Sequence, residues 1–265
     1  MKWLLLLRRA WISECVGMQQ IRLFFLALSF YTRIPSPIAL EYSQLHRSSV
    51  YFPVIGWLVG LAAALSFYLT DLVLPQTTAV IMAVIVSIFM TGALHEDGFA
   101  DVCDGFGGGY GKERILVIMK DSRSGVYAVT GLIMLMSLKF SLLSELSASA
   151  VPSMLIAGHS LSRFMPLLLM RQYSYARTSD SKSMSAIHKP SLTELSLAAG
   201  FSMLPFFLLP SIFLFAVIPL VLITFILGSY FNRHIGGYTG DYLGCSQQVS
   251  EVCFYLFVSV LWTFI

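Results

Sequence analysis

Long apolar tracts dominate this chain, and short polar segments separate them. Spanning a bilayer takes about 20 mostly apolar residues, so each long tract predicts one or two membrane helices. The tracts are residues 49–70, 77–94, 126–146, 150–170 and 195–230. The last of them contains Pro205, Pro210 and Pro219, so we expect two closely spaced helices with a turn near Pro210. With a final apolar helix from Glu251 to the C-terminus, the pattern predicts an all-α bundle of about seven transmembrane spans.

The N-terminal region differs from these tracts. Residues 18–34 are apolar, but two arginines interrupt them and Pro35 follows, so we expect an interfacial or partly embedded helix. Residues 1–20 form an atypical N-terminal extension. Its apolar run is too short for a signal peptide and lacks a clear small-residue cleavage site, and Met18 is an alternative start.

Composition and charge agree with a membrane protein. Of the 265 residues 57% are hydrophobic and 12% charged, against about 25% charged in an ordinary soluble domain. A net charge of +3 gives no basic field for a nucleic-acid partner. The four cysteines form no paired framework, and we expect no disulfides.

Lysine and arginine are distributed unevenly among the connecting segments. They occur in the N-terminal region and in the polar segments 95–125, 171–194 and 231–250, whereas the turns at Asp71, Ser147 and Pro210 contain none. By the positive-inside rule, the N-terminus and the three polar segments are cytoplasmic. We therefore expect one integral-membrane domain over residues 1–265, with its active segments facing the cytoplasm.

The first polar segment carries the strongest chemical signal. Asp97, Asp101 and Asp104 are spaced i, i+4 and i+7, so they lie on one face of a helix that we expect to continue the preceding membrane helix. Like charges at this spacing repel, and a divalent cation such as Mg²⁺ would neutralise them. The alternative is a solvated acidic face, which the apolar residues of the opposite face make less attractive.

Basic residues follow in the same segment, after a glycine run at residues 105–111 that fits a flexible loop as well as a phosphate cradle. Lys120 and Arg123 flank Asp121, and arginine suits bidentate phosphate binding. An ordinary positive-inside flank explains them equally well. Asp121 would return toward the other carboxylates if residues 112–121 form a hairpin partner helix.

Several ionisable residues lie inside predicted spans, where such groups usually face the bundle interior. His159 and Arg163 are i, i+4 partners, and we expect them to line a pocket, with snorkelling of Arg163 as the alternative. For Lys139 we expect a structural pairing with Glu145 or with another polar group.

The third polar segment adds a second acidic position. Residues 239–244 are typical of a tight loop before the last helix, and Asp241 beside several glycines is a candidate metal ligand. A plain turn explains the glycines without any site.

In combination, these motifs resemble the cobalamin synthase (adenosylcobinamide-GDP ribazoletransferase) family. The similar stretches are residues 30–35 (FYTRIP), 52–56 (FPVIG), 95–105 (HEDGFADVCDG), 119–125 (MKDSRSG) and 236–241 (GGYTGD). The resemblance implies a polytopic inner-membrane enzyme that needs Mg²⁺. The implied reaction joins adenosylcobinamide-GDP and α-ribazole, or α-ribazole 5′-phosphate, to give adenosylcobalamin or its 5′-phosphate, with release of GMP.

The resemblance also implies roles for residues of these segments. The expected metal ligands are Glu96, Asp97, Asp101, Asp104, Asp121 and Asp241. The expected catalytic residues are Asp104, Asp121, Lys120 and Arg123, with Asp104 or Asp121 orienting or deprotonating the ribazole hydroxyl. The expected substrate-binding residues are His159, Arg163, Arg233, Gly237 and Thr239.

Expected partners are the small-molecule substrates and the lipid bilayer, with no nucleic acid. A homo-oligomer and an association with other corrinoid-pathway enzymes both stay open. A transporter of divalent metal or of a small molecule is the competing hypothesis, but it would place paired acidic ligands near the bilayer midplane in repeated halves. No such repeat is visible in the sequence.

Overall fold

The computed structural model describes residues 2–177 and 189–264, with side chains from residue 17 onward. Cys15 and Met1 therefore lie outside the described side chains. Regular structure in the described part is helical, with one isolated bridge between Tyr175 and Tyr238. The α-helices are α1 (Lys2–Tyr31), α2 (Leu45–Ser48), α3 (Phe52–Asp71), α4 (Gln76–Thr91), α5 (Leu94–Gly108), α6 (Lys112–Ile118), α7 (Val126–Ser144), α8 (Val151–Gln172), α9 (Leu192–Met203), α10 (Val217–Ile235) and α11 (Gly240–Trp262). Short 3₁₀ helices occur at Tyr42–Gln44, Ser49–Tyr51, Leu204–Leu208 and Ser211–Ala216.

Several helices are long and apolar enough to cross a membrane, which confirms the all-α membrane class. Four such stretches are Tyr42–Asp71, Val126–Ser144, Val151–Gln172 and Ser211–Ile235. The bent pair α4 and α5 makes a fifth if it is counted as one span. Leu192–Leu208 is a shorter apolar helix.

Helix α8 lies at the centre of the bundle, where it packs closely against α3. A Cβ atom at Gly56 would lie 2.3 Å from the His159 carbonyl oxygen, and one at Gly60 would lie 2.7 Å from the Ile156 Cα atom. Without side chains at these positions, the two backbones approach as small-residue interfaces allow in membrane bundles. The contact between α3 and α8, together with the packing of α11 against another side of α8, positions the polar segments.

The connection between α4 and α5 departs from expectation. The two helices meet at 90°, because Gly92 and Ala93 both adopt left-handed conformations, with φ of 68° and 60°. The prediction that the acidic helix continues the preceding membrane helix is therefore wrong. Glycine adopts this conformation without cost, whereas alanine does so under strain. The bend turns α5 across the end of the bundle.

The last helix begins earlier than predicted. Thr239 accepts a hydrogen bond from the Tyr242 backbone N–H at 3.2 Å and caps α11, which runs from Gly240. The expected polar loop over residues 231–250, and the tight loop within it, are therefore wrong. Polar residues of this stretch, including Gln247 and Gln248, are buried and bonded to one another inside the bundle, so they do not interrupt the helix.

The remaining helix predictions agree better with the structure. The break near Pro210 is confirmed, since the chain leaves its helix at Leu209 and resumes at Ser211. A short helix α6 follows the acidic helix and packs against it through Ile115 and Met119. The first helix is longer than predicted and ends at Tyr31.

Candidate active site

A cavity of about 240 Å³ opens at the end of the bundle where α5 and α11 begin. Its aromatic wall includes Tyr31, Phe52, Tyr175 and Tyr238, and its polar wall includes His95, Asp97 and Asp241. The remaining lining residues are Phe30, Leu45, His46, Ser49, Leu94, Gly98, Pro166, Met170, Gly240, Leu243 and Gly244. An apolar cavity with a few polar groups on one side is the usual form of a small-molecule site.

The contact between α5 and α11 brings two carboxylates to this cavity. A Cβ atom at Gly98 would lie 2.6 Å from the Asp241 carbonyl oxygen, so the two helices touch where neither has a bulky side chain. Asp97 precedes this contact and Asp241 is part of it. Residues 144 positions apart in sequence (241 − 97 = 144) therefore line the same cavity wall.

The second polar segment joins the same site through backbone pairing. The Ala176 N–H donates to the Tyr238 carbonyl at 2.9 Å, and the Tyr238 N–H donates to the Ser174 carbonyl at 2.9 Å. Gly237 permits this pairing, because its φ is +150° and a Cβ atom there would collide with the Ser174 carbonyl. Burial raises the pKa of Tyr238 to about 12, so its hydroxyl stays a neutral hydrogen-bond donor.

Arg177 completes this connection. Its Nη2 lies 2.8 Å from Asp241 Oδ2, with both side chains largely buried. A charge-assisted bond of this length fixes the orientation of the carboxylate. Arg177 could not be selected from the sequence alone, since it sits in a polar stretch rich in other cations and hydroxyls.

The Asp97 and Asp101 carboxylates receive no hydrogen bond from the described residues. Asp101 is half-buried, and it interacts with the like charges of Asp241, Asp97 and Asp104 and with the opposite charge of Arg177. A carboxylate group with this excess of negative charge is suited to a hard cation. Among the described side chains, however, no three His, Cys, Asp or Glu residues are gathered closely enough to form a metal site as they stand.

Two further acidic residues of α5 are held by protein partners. Asp104 accepts hydrogen bonds from the backbone N–H groups of Gly125 and of Ala128, the latter at 2.9 Å, and so caps the N-terminus of α7. Glu96 is buried and accepts a bond of 2.8 Å from Gln248 Nε2. Both were predicted as metal ligands, and the structure shows these other partners for them.

Asp121 lies in an exposed turn after α6. Its carboxylate accepts hydrogen bonds from the Arg123 guanidinium, at 2.6 Å to Nη2, and from the Arg123 backbone. These bonds lower the pKa of Asp121 to about 2. Lys120 and Arg233 are also exposed, and the structure does not bring either of them, or Asp121, to the cavity wall.

The buried residues of α8 form an ion network with α7 and α11. Glu251 lies 3.0 Å from Lys139 Nζ and 3.4 Å from His159 Nδ1, and Arg163 donates to the His159 carbonyl at 2.9 Å. The expected structural pairing of Lys139 with another polar group is confirmed, since its partners are Glu251 and Gln248 rather than Glu145. His159 and Arg163 do not line the cavity, although Arg163 lies 5.9 Å from the ring centroid of Phe52.

Sequence reasoning missed this network because Glu251 was placed at a helix start. A usable signal was present, since Gln247, Gln248 and Glu251 share one face of a helix that continues into a long apolar run. Polar residues on such a helix face the bundle interior and find partners there.

Comparison with known proteins places the chain among a set of similar sequences. The family model described as cobalamin-5-phosphate synthase matches residues 23–259. A protein of Shewanella amazonensis named adenosylcobinamide-GDP ribazoletransferase is 43% identical, over 92% of this chain and 97% of its own length. A protein of the same name from Leptospira interrogans is 42% identical, over 88% of this chain and 93% of its own length. No solved structure matches this chain.

Proposed function

This chain belongs to the cobalamin-5-phosphate synthase family, and we propose that the cavity between α5 and α11 is where it performs the family's transfer reaction. Its activity is that of an adenosylcobinamide-GDP ribazoletransferase. One observation carries the assignment of the site: Asp97 and Asp241, from two distant polar segments, meet on the wall of an aromatic cavity.

The reaction exchanges one phosphorus–oxygen bond for another. A ribose hydroxyl of α-ribazole other than the 5′ hydroxyl attacks the cobinamide-side phosphorus of the pyrophosphate, because the 5′ oxygen of α-ribazole 5′-phosphate keeps its phosphate in the product. The bond between that phosphorus and the GMP oxygen breaks, GMP leaves with its electron pair, and the attacking hydroxyl loses its proton. Catalysis of such a transfer depends chiefly on positioning and on neutralising negative charge.

Mg²⁺ fits the acidic wall by the chemistry of its donors. Asp97 and Asp101 receive no protein hydrogen bond in the described part of the chain, and Asp241 retains one oxygen that Arg177 does not contact. These three carboxylates would hold the ion once their side chains draw closer together than they stand in the described structure, and the bound ion would supply neutralisation of pyrophosphate charge. Arg177 holds Asp241 in place for this role.

The other predicted catalytic and metal-binding residues have more limited roles in this proposal. Asp121, with its pKa lowered to about 2 by Arg123, is too weak a base to accept the ribazole proton efficiently. Asp104 positions the start of α7 and thereby the turn that carries Lys120 and Arg123. We assign those two cations and Arg233 to attraction of the anionic substrate at the polar end of the bundle.

The membrane arrangement that accompanies this proposal has about seven spans and a cytoplasmic N-terminus, in the inner membrane. Supporting it, the four long candidates and the bent pair give up to five crossings, and we assign one more crossing each to Leu192–Leu208 and α11. The polar segments then share the cytoplasmic side, where soluble nucleotides are available. Nothing about the site favours transport, since its carboxylates lie at the end of the bundle.

The decisive experiment measures GMP release by purified protein in liposomes from adenosylcobinamide-GDP, α-ribazole and Mg²⁺. Asp97→Asn and Asp241→Asn should each abolish release, and chelation of Mg²⁺ should do the same to the unmodified protein. Asp71→Asn is the matched control. It lies at the far end of α3, about 28 Å from the cavity residue Phe52 at 1.5 Å per residue, and should retain full activity. Full activity in both site variants would refute the assignment.

Sidedness is tested with single cysteines in a background where the native cysteines are replaced. Val73→Cys should react with a membrane-impermeant maleimide in right-side-out vesicles, and Lys120→Cys should react only after permeabilisation. The reverse labelling pattern would invert the proposed orientation.

A further inference from the structure

The cavity is more apolar than a site for phosphates alone requires. Tyr31 and Phe52 stack with ring centroids 4.2 Å apart, and Tyr175 and Tyr238 meet edge-to-face at 5.5 Å. Both pairs contribute to the lining, together with leucines, a proline and a methionine. Such walls favour a flat apolar group, which they hold by stacking and by burial of its surface.

One residue of the lining, His95, carries a buried ring nitrogen that has no hydrogen-bond partner in the described part of the chain. His95 is 3% exposed, and its Nε2 is buried without a hydrogen bond to any described residue. Its ring lies 6.5 Å from that of Tyr31 and 5.6 Å from that of Phe52, between centroids. Leaving a buried polar group unpaired is costly, and in the tautomer that carries its proton on Nε2 the ring would be satisfied by a ligand atom that accepts a hydrogen bond.

The size of the cavity limits which part of the substrates enters it. A cavity of about 150 Å³ is known to hold benzene, so about 240 Å³ suits a two-ring heterocycle and excludes a corrin macrocycle. Two bicyclic bases take part in the reaction, guanine and the dimethylbenzimidazole of ribazole. Guanine carries several donors and acceptors around its edge, whereas dimethylbenzimidazole has two methyl groups and a single free ring nitrogen.

Building on the proposed function, we propose that this cavity binds the dimethylbenzimidazole base of α-ribazole and that His95 recognises its free ring nitrogen. The Nε2–H of His95 donates to that nitrogen, while the aromatic wall contacts the rings and the methyl groups. The ribose then extends toward Asp97 and Asp241, where its attacking hydroxyl meets the pyrophosphate. In this arrangement the residues that recognise the base are different from the residues that neutralise the phosphate charge.

Equilibrium dialysis of the detergent-solubilised full chain tests this directly, with α-ribazole as the probe and no corrinoid present. A second probe is the indole analogue of α-ribazole, in which carbon replaces the free ring nitrogen. The unmodified protein should bind α-ribazole about tenfold more tightly than the analogue, the discrimination expected for one buried hydrogen bond.

The variant His95→Phe keeps a ring against Tyr31 and Phe52 but removes the donor. It should lose the discrimination between the two probes, with the same weak affinity for both. His95→Gln, which restores an N–H donor, should recover part of it. Because the two-probe comparison in the unmodified protein needs no substitution, the test holds even if a variant fails to fold.

Equal affinity of the unmodified protein for the two probes would overturn the proposal. The proposal would also be overturned if excess dimethylbenzimidazole displaced neither probe. Displacement of both probes by GMP would overturn it too, because that result would assign the cavity to guanine. The two proposals fail in different ways. Binding of α-ribazole with discrimination but without GMP release would refute the catalytic assignment alone, and normal GMP release without discrimination would refute the base site alone.

Discussion

Replacing Glu251 by glutamine should destabilise this protein more than almost any other single polar substitution. The Glu251 carboxylate is 1% exposed and lies within 3.0 Å of Lys139 Nζ and 3.4 Å of His159 Nδ1. Lys139 is equally buried and also bonds Gln248 Oε1 at 2.9 Å. Glutamine preserves the size of the side chain, but it leaves the Lys139 ammonium in the bundle interior with no anion beside it.

The expected magnitude follows from the burial of both partners. Breaking a buried ion pair by removing one member costs about 3–5 kcal/mol, because the remaining charge is uncompensated. That corresponds to a fall in the folded-to-unfolded ratio by roughly two to three and a half powers of ten. Removing both charges, with Lys139→Met and Glu251→Gln together, should cost less than either single change.

Reversible unfolding in mixed detergent and sodium dodecyl sulfate micelles measures these free energies, and the four proteins form a double-mutant cycle. The matched control is Arg123→Ala, which breaks a bridge of 2.6 Å whose arginine is 87% exposed. It should shift the unfolding midpoint only slightly, because an exposed ion pair contributes little to stability. A cost below about 1 kcal/mol for both single variants, typical of a neutral hydrogen bond in a bilayer protein, would show that the network is solvated and refute the reasoning.

Three further outcomes are expected. Asp104→Ala should lower stability by about 0.5–2 kcal/mol, as measured by the same unfolding, because it removes a helix cap, whereas Asp104→Asn should lose less. Gly98→Ala should cost about 1–3 kcal/mol by overpacking and should reduce GMP release, because its Cβ would lie 2.6 Å from the Asp241 carbonyl oxygen; full activity would contradict the close contact. The pKa of Asp121, about 2 in the folded protein, should return to about 3.9 in Arg123→Ala, as measured by NMR titration. Since folding depresses this pKa, the associated stability is present above about pH 4 and lost as pH falls toward 2, so neither protein should show an Asp121 inflection in activity between pH 5 and 8.

Much of the site could be predicted from local spacing. Asp97, Asp101 and Asp104 were expected on one helical face, and α5 contains all three. The different contacts of these aspartates could not be predicted, because they depend on which residues pack against each turn of the helix. Asp97 lines the cavity, whereas Asp104 caps a helix that begins 22 residues later at Val126 (126 − 104 = 22).

The apolar periodicity and the distribution of lysine and arginine determined the class of the molecule, the number of its helices to within a few, and the grouping of its polar segments. These properties depend on the partition of each segment between water and lipid, which is local to the segment. Tertiary structure alone decided the bend at Gly92 and Ala93, the pairing of Lys139 with Glu251, and the meeting of Arg177 with Asp241. The two pairings join groups from distant parts of the chain, and a buried polar group takes whichever partner the packing of the bundle brings within reach. The sequence shows that such groups need partners, and the packing decides which ones they have.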